Sequence, residues 1–278
     1  KYSFSPDADY PLINAERGIS GAAFSREFTV EEEKASPVKL IDAGLRRNMV
    51  PAKAKAEFRT GEPVKLAGIA AKIAHGHGAG VEIDTEGEKV SVTVLGKGGH
   101  ASLPEGSINS LAVLLEIIGA TDWTDSVSEM LRAVSKVYPF GAYHGEAAGI
   151  DMCDKESGRI TSCLNVMKYD AGKLYGVIDS RVPAMATKEN FNDVLEAKLR
   201  AAGAENVEIS LNPCHLVSAD CPLVRKLLAS YEKIMGLKGE PIAIGGGTYV
   251  HNIENGVAFG CAMPGVDNRM HGPDEFMD

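Results

Sequence analysis

The sequence predicts an α/β protein whose two ends flank a long α+β insertion. Three observations predict it. Strand-like and helix-like patterns alternate from about residue 22 to 218. Beyond that the texture changes to short apolar strands broken by glycines, beside one amphipathic helix, as in a domain with a buried sheet. Residues 1–18 read as an extended segment rich in Pro and Asp that can rejoin this later part, which makes 22–218 an insertion.

Along the chain, "AAFSREFTV" alternates as a strand through Phe24, Phe28 and Val30, and "PAKAKAEFR" does so with Ala, Ala and Phe on one parity. "EPVKLAGIAAKIAHGHG" has helical spacing through Val64, Leu66, Ile69 and Ile73, and glycines stop it. "GVEIDTEGEKVSVTVLG" reads as a hairpin in which Val81 and Ile83 answer Val90, Val92 and Val94. A helix follows in "SINSLAVLLEIIGA", then a hairpin around "DAGK" within residues 159–183. "TKENFNDVLEAKLRAAGA" is an amphipathic helix with Thr187 as N-cap and Gly203 as its stop, and "NVEISLNP" is one more strand. These elements group as two successive α+β units. "DCPLVRKLLASYEKIMG" is a helix opened by Pro222 and closed by Gly236; "EPIAIGGGTY" and "NGVAFGCAMPG" are short strands with glycine breaks.

Composition excludes some partners. With 38 acidic and 29 basic residues the net charge is -9. That argues against nucleic acid and against an anionic membrane surface, both of which need a basic face. No apolar run approaches the roughly 18 residues of a membrane span. The 5 cysteines are scattered without CxxC spacing, which fits reduced thiols and a cytoplasmic location.

Several residues could carry chemistry. Gly245, Gly246 and Gly247 precede Thr248; they form either a cradle for a carboxylate or a plain tight turn. His100, between glycines and a Ser-Leu-Pro turn, is either a donor to a developing oxyanion or a surface loop residue. Asp7 and Asp9 in "SPDADYP" could face a cation or form a solvated turn. Arg181 ends an apolar strand, where a guanidinium suits either bidentate capture of a carboxylate or a structural ion pair. His75 and His77 form an H-x-H pair, but a helix end flanked by glycines is a poor setting for two ligands. His271, in the closing "MHGPDEFMD", is by itself a stray histidine.

Taken in order, "FSPDADYPLINAERG", "RRNMVPAKA", "GKGGHASLPEGSINS", "IDSRVP", "AIGGGTYV", "NGVAFGCAMPG" and "MHGPDEFM" resemble the di-zinc metallopeptidase family of aminoacylases, desuccinylases, carnosinases and bacterial dipeptidases. Within it the likeness is to the dipeptidase V type, which acts on Xaa-His or β-Ala-Xaa dipeptides. The resemblance implies a partial zinc-peptidase catalytic domain with an inserted lid of two ferredoxin-like α+β units. Residues 1–19 and 219–278 would be the catalytic segments and 20–218 the lid, with units at about 20–104 and 105–218. A doubled lid implies a monomer.

The resemblance also implies roles. Asp7 and His271 match zinc ligands in a centre of two Zn2+ per intact enzyme, replaceable by Mn or Co. His100 matches the lid histidine that stabilises the oxyanion. Asn48 matches a lid asparagine on the substrate, Arg181 the arginine on its C-terminal carboxylate, and Gly246, Gly247 and Thr248 the loop lining that subsite. The family's H-x-D motif, bridging aspartate and Glu-Glu pair would lie before Lys1, and its final helix after Asp278. This piece alone is therefore expected to bind zinc poorly and to be inactive. The implied activity of the intact protein is dipeptide hydrolysis by a zinc-bound hydroxide. A deacylase or desuccinylase of the same family, and a non-catalytic peptide-binding module, stay open as alternatives.

Overall fold

The computed structural model describes residues 1–269 and 274–277. Its dominant feature is one antiparallel sheet of eight strands. Their spatial order is Asn206–Asn212, Gly18–Glu27, Lys173–Val182, Thr161–Asp170, Val38–Ala43, Lys53–Arg59, Lys89–Leu95 and Gly80–Glu86. Both expected hairpins form. Val81 faces Val94 and Ile83 faces Val92. In the other, Asp170 faces Lys173 across Ala171 and Gly172, at φ 46° and 77°, the left-handed pair a tight hairpin turn needs.

Four helices, Pro63–Gly76, Ser110–Gly119, Ser126–Val137 and Asp193–Ala201, share one core with the sheet. The Ser110–Gly119 helix is apolar nearly all round because it runs between two other helices and the sheet; Leu111, Leu114, Leu115, Ile117 and Ile118 are all inaccessible. Asn109 caps it, accepting from the backbone N–H groups of Leu111 and Ala112.

A second, mixed sheet of five strands joins the two ends of the chain. Ser3–Ser5 runs parallel to Gly256–Ala258, and Ile13–Glu16 lies between Gly256–Ala258, His215–Leu216 and Ile242–Ile244. Ile13–Glu16 is buried along its whole length. The Pro222–Met235 helix packs Val224 and Leu227 against Leu12 and Val257 and ends on Gly236 in the left-handed region.

The strands assigned to the lid make one continuous sheet, in which the chain before residue 105 and the chain after it meet where Thr161–Asp170 pairs with Val38–Ala43. Three expectations need correction. Gly18–Glu27, expected in the first unit, lies between Asn206–Asn212 and Lys173–Val182, because backbone pairing ignores chain order once a long connection brings a strand back. Val30 does not extend its strand: Thr29 and Glu32 form a reciprocal capping box that starts the helix Val30–Ala35. Val64 is exposed; Leu66, Ala70 and Ala74 form the buried stripe of its helix.

The sheet face away from the helices positions the site. Along Lys173–Val182 the core takes Leu174, Ile178 and Val182. Strand alternation sends Asp179 and Arg181 to the opposite face. There Asp179 stands between Cys163 and Gly21, and Arg181 between Thr161 and Ile19. Among the described residues no helix is long and apolar enough to cross a membrane.

Candidate carboxylate and oxyanion site

Asp179 is the centre of the polar face. Its carboxylate is fully buried, and Arg181, nearly as buried, donates from Nε to its Oδ2 at 2.9 Å. Arg47 approaches Oδ1 at 3.3 Å from the exposed side, as an ion pair outside hydrogen-bond geometry. Burial raises the Asp179 pKa, while the charges of Arg181 and Arg47 and the hydrogen bond from Arg181 pull it back down.

Arg181 also reaches the second sheet. Its Nη1 donates to the Gly245 carbonyl at 3.1 Å, where the chain leaves Ile242–Ile244. Gly245 is the glycine of the run that must be small. A Cβ there would stand 2.6 Å from Arg17 Nη2 and 2.7 Å from the Ser102 Cβ, whereas one on Gly246 would meet open space. Arg17 bridges the same place, donating to the backbone carbonyls of Arg159 at 2.7 Å and Ser102 at 3.2 Å. Burial lowers its pKa, and the Arg181 charge acts in the same direction.

Thr248 and Gly247 belong to a neighbouring cluster. Thr248 donates its hydroxyl proton to Glu16 Oε1 at 2.5 Å, and His251 Nδ1 lies 2.8 Å from Glu16 Oε2. Glu16 is almost wholly buried at the end of its strand. Because the only Thr248 proton is committed to Glu16, that hydroxyl can accept but not donate to a ligand.

His100 and Asn48 are brought together by a short antiparallel pairing of Gly99–His100 with Met49–Val50. The Asn48 amide lies 3.4 Å from His100 Nε2. The Ser102 backbone N–H donates to His100 Nδ1 at 3.1 Å, which assigns the neutral ring's proton to Nε2; the Asn48 Nδ2, a donor only, then makes no hydrogen bond to that nitrogen and stands beside it as a second donor. Partial burial lowers the His100 pKa; the Arg181 charge adds to this and Asp179 opposes it. The result is a neutral imidazole presenting an N–H donor within the field of the Arg181 guanidinium.

The structure thus gathers Asn48, His100, Arg181 and the glycine loop. It does not gather Asp7 with them: Asp7 is exposed in a bend after the edge strand Ser3–Ser5. His271 lies outside the described residues. Among the described residues no group of three or more His, Cys, Asp or Glu is placed to hold a metal ion. The described residues alone do not assemble a zinc centre, which normally takes three or four protein ligands per ion. Of the other histidines, His77 bonds Glu116 at 2.8 Å and stacks on Phe140, which explains it structurally.

Asp179, Arg47, Arg17 and Glu16 were not singled out by sequence reasoning. Asp179 lies two residues before Arg181, and that i, i+2 spacing on one strand was the available signal.

No family model matches the chain. "Putative dipeptidase YtjP" of Bacillus subtilis is 31% identical over 277 residues, covering 99% of this chain and 59% of that protein. "Putative dipeptidase SAB1611c" of Staphylococcus aureus is 30% identical over 281 residues, covering 99% and 59%. The chain thus spans less than two thirds of the length of these relatives. The crystal structure of aminoacylhistidine dipeptidase from Vibrio alginolyticus superposes with a TM-score of 0.51 at 15% identity, over 99% of this chain and 61% of that one, which shows a shared fold.

Two outcomes test the electrostatics. Asp179→Ala leaves the Arg181 guanidinium buried without its partner and should cost about 3–5 kcal/mol in denaturant unfolding; a loss under about 1 kcal/mol would contradict a buried pair. His100 should stay neutral to lower pH than an unfolded imidazole. Its contribution to stability is complete above the ordinary imidazole pKa and is lost as the pH falls from there through the folded value. An NMR titration showing a raised His100 pKa would be the contrary result.

Proposed function

We propose that this chain is the substrate-recognising part of a zinc-dependent dipeptidase that hydrolyses dipeptides with a free C-terminal carboxylate. The observation that carries the reading is the neutral His100 N–H donor placed beside the buried Arg181–Asp179 pair. The names of the relatives point the same way.

The division of labour follows from charge. Arg181 has used Nε on Asp179 and one N–H of Nη1 on Gly245, which leaves Nη2 to meet a carboxylate. Asp179 fixes the guanidinium plane, so little ordering entropy is lost when a ligand binds. A carboxylate on Arg181 orients the scissile carbonyl. His100 Nε2–H then donates to the oxygen that gains charge on attack, and Asn48 lies against the same nitrogen. A neutral donor suits this role, since it needs no proton transfer to act.

Zinc would supply the hydroxide that attacks. Of its ligands the reading assigns this chain Asp7 and His271. A monomer is the proposed state: the edge strand Gly80–Glu86 carries Glu82, Asp84 and Glu86, which resist pairing with a second copy.

In the full-length protein, a free dipeptide should be hydrolysed and its N-acetyl form should not, and a chelator should abolish turnover that zinc restores. His100→Ala should lower kcat by about 10²–10³-fold with a smaller change in KM, as for loss of one oxyanion donor. Hydrolysis of the acetylated substrate alone would replace this reading by a deacylase.

A further inference from the structure

The Arg47 guanidinium is placed by three independent features and used by none of the roles above. The Arg47 carbonyl is pinned by Asn165 Nδ2 at 2.6 Å. Asn165 is itself buried and lies where the register of Thr161–Asp170 against Lys173–Val182 shifts by a bulge. The side chain then lies along Gly21 on the open face of the sheet. A Cβ on Gly21 would stand 2.3 Å from Arg47 Nη1, so this strand position leaves room for the guanidinium. Finally, Nε is drawn to Asp179 at 3.3 Å without a formed hydrogen bond, so the contact is charge attraction and not a lock.

Free donors make a second ligand anion the natural complement. Arg47 and Arg181 share one buried carboxylate, Asp179. Each keeps donors that Asp179 does not take, Nη2 on Arg181 and both Nη groups on Arg47. Arg47 is 47% exposed along its side chain, and its two Nη groups have no hydrogen-bond partner among the described residues. It shares Asp179 with Arg181, so it stands next to whatever carboxylate Arg181 holds.

We infer that Arg47 is a specificity-determining residue that reads a second carboxylate, and that the site favours dipeptides whose C-terminal residue is aspartate or glutamate. This rests on the reading of Arg181 as the residue that holds the C-terminal carboxylate. Arg47 takes the side-chain carboxylate of that same residue, and Asp179 keeps the two guanidiniums from repelling each other when the site is empty.

The experiment uses the full-length protein with Ala-Glu and its neutral isostere Ala-Gln, measuring kcat/KM and, separately, equilibrium binding of each dipeptide. The wild type should favour Ala-Glu by about tenfold or more in both measurements, the worth of one charge-assisted bidentate contact. Arg47→Met should collapse that ratio towards one, and Arg47→Lys should restore part of it. Equal handling of the two dipeptides by the wild type would overturn the inference. So would an Arg47→Met variant that loses activity on both in parallel, which is what a merely structural arginine would show. Binding that favours Ala-Glu through Arg47, with no hydrolysis of either peptide, would uphold the inference and sink the dipeptidase reading instead.

Discussion

A single buried carboxylate organises the polar half of this molecule. Asp179 is fully inaccessible on the face of the large sheet that its helices leave uncovered. An isolated charge there would be costly. Arg181 compensates it from the same strand, and Arg47 does so from the loop after Val38–Ala43. Once Arg181 is fixed in that way, its remaining donors face the second sheet and capture Gly245. The His100 ring sits within the field of the same pair. The contact between the two sheets and the proposed chemistry thus share one electrostatic centre.

This arrangement also explains the glycines that matter. Gly245 lets the loop end approach Arg17 and Ser102, and Gly21 makes room for Arg47. Neither has a left-handed backbone; both are small because a guanidinium lies against them. Glu16 does comparable work beside them, holding Thr248 and His251 with its two oxygens and so stiffening the turn that follows the glycine run.

Local pattern was legible in the sequence and long-range pairing was not. Both hairpins, the Thr187 cap and the Pro222-to-Gly236 helix could be read from turn residues, caps and periodicity, because those signals act over a few residues. The Ser126–Val137 helix passed unread although Asp125 caps it in the expected way. The strand Val38–Ala43 was too short to stand out, yet it joins the halves of the sheet. Candidate site residues on distinctive loops, His100 and the glycine run, were visible. Arg17, Arg47 and Asp179 were not, because each looks like an ordinary surface or strand charge until strands far apart in sequence are laid side by side.

The central claim is that the Arg181–Asp179 pair exists to hold a ligand carboxylate. The direct measurement is kcat/KM of the full-length protein for Ala-Ala and for its C-terminal amide, in the wild type and in Arg181→Ala. The wild type should prefer the free carboxylate by about tenfold to a hundredfold, and the variant should lose most of that preference. Equal turnover of acid and amide by the wild type, or a preference that survives loss of Arg181, would contradict it.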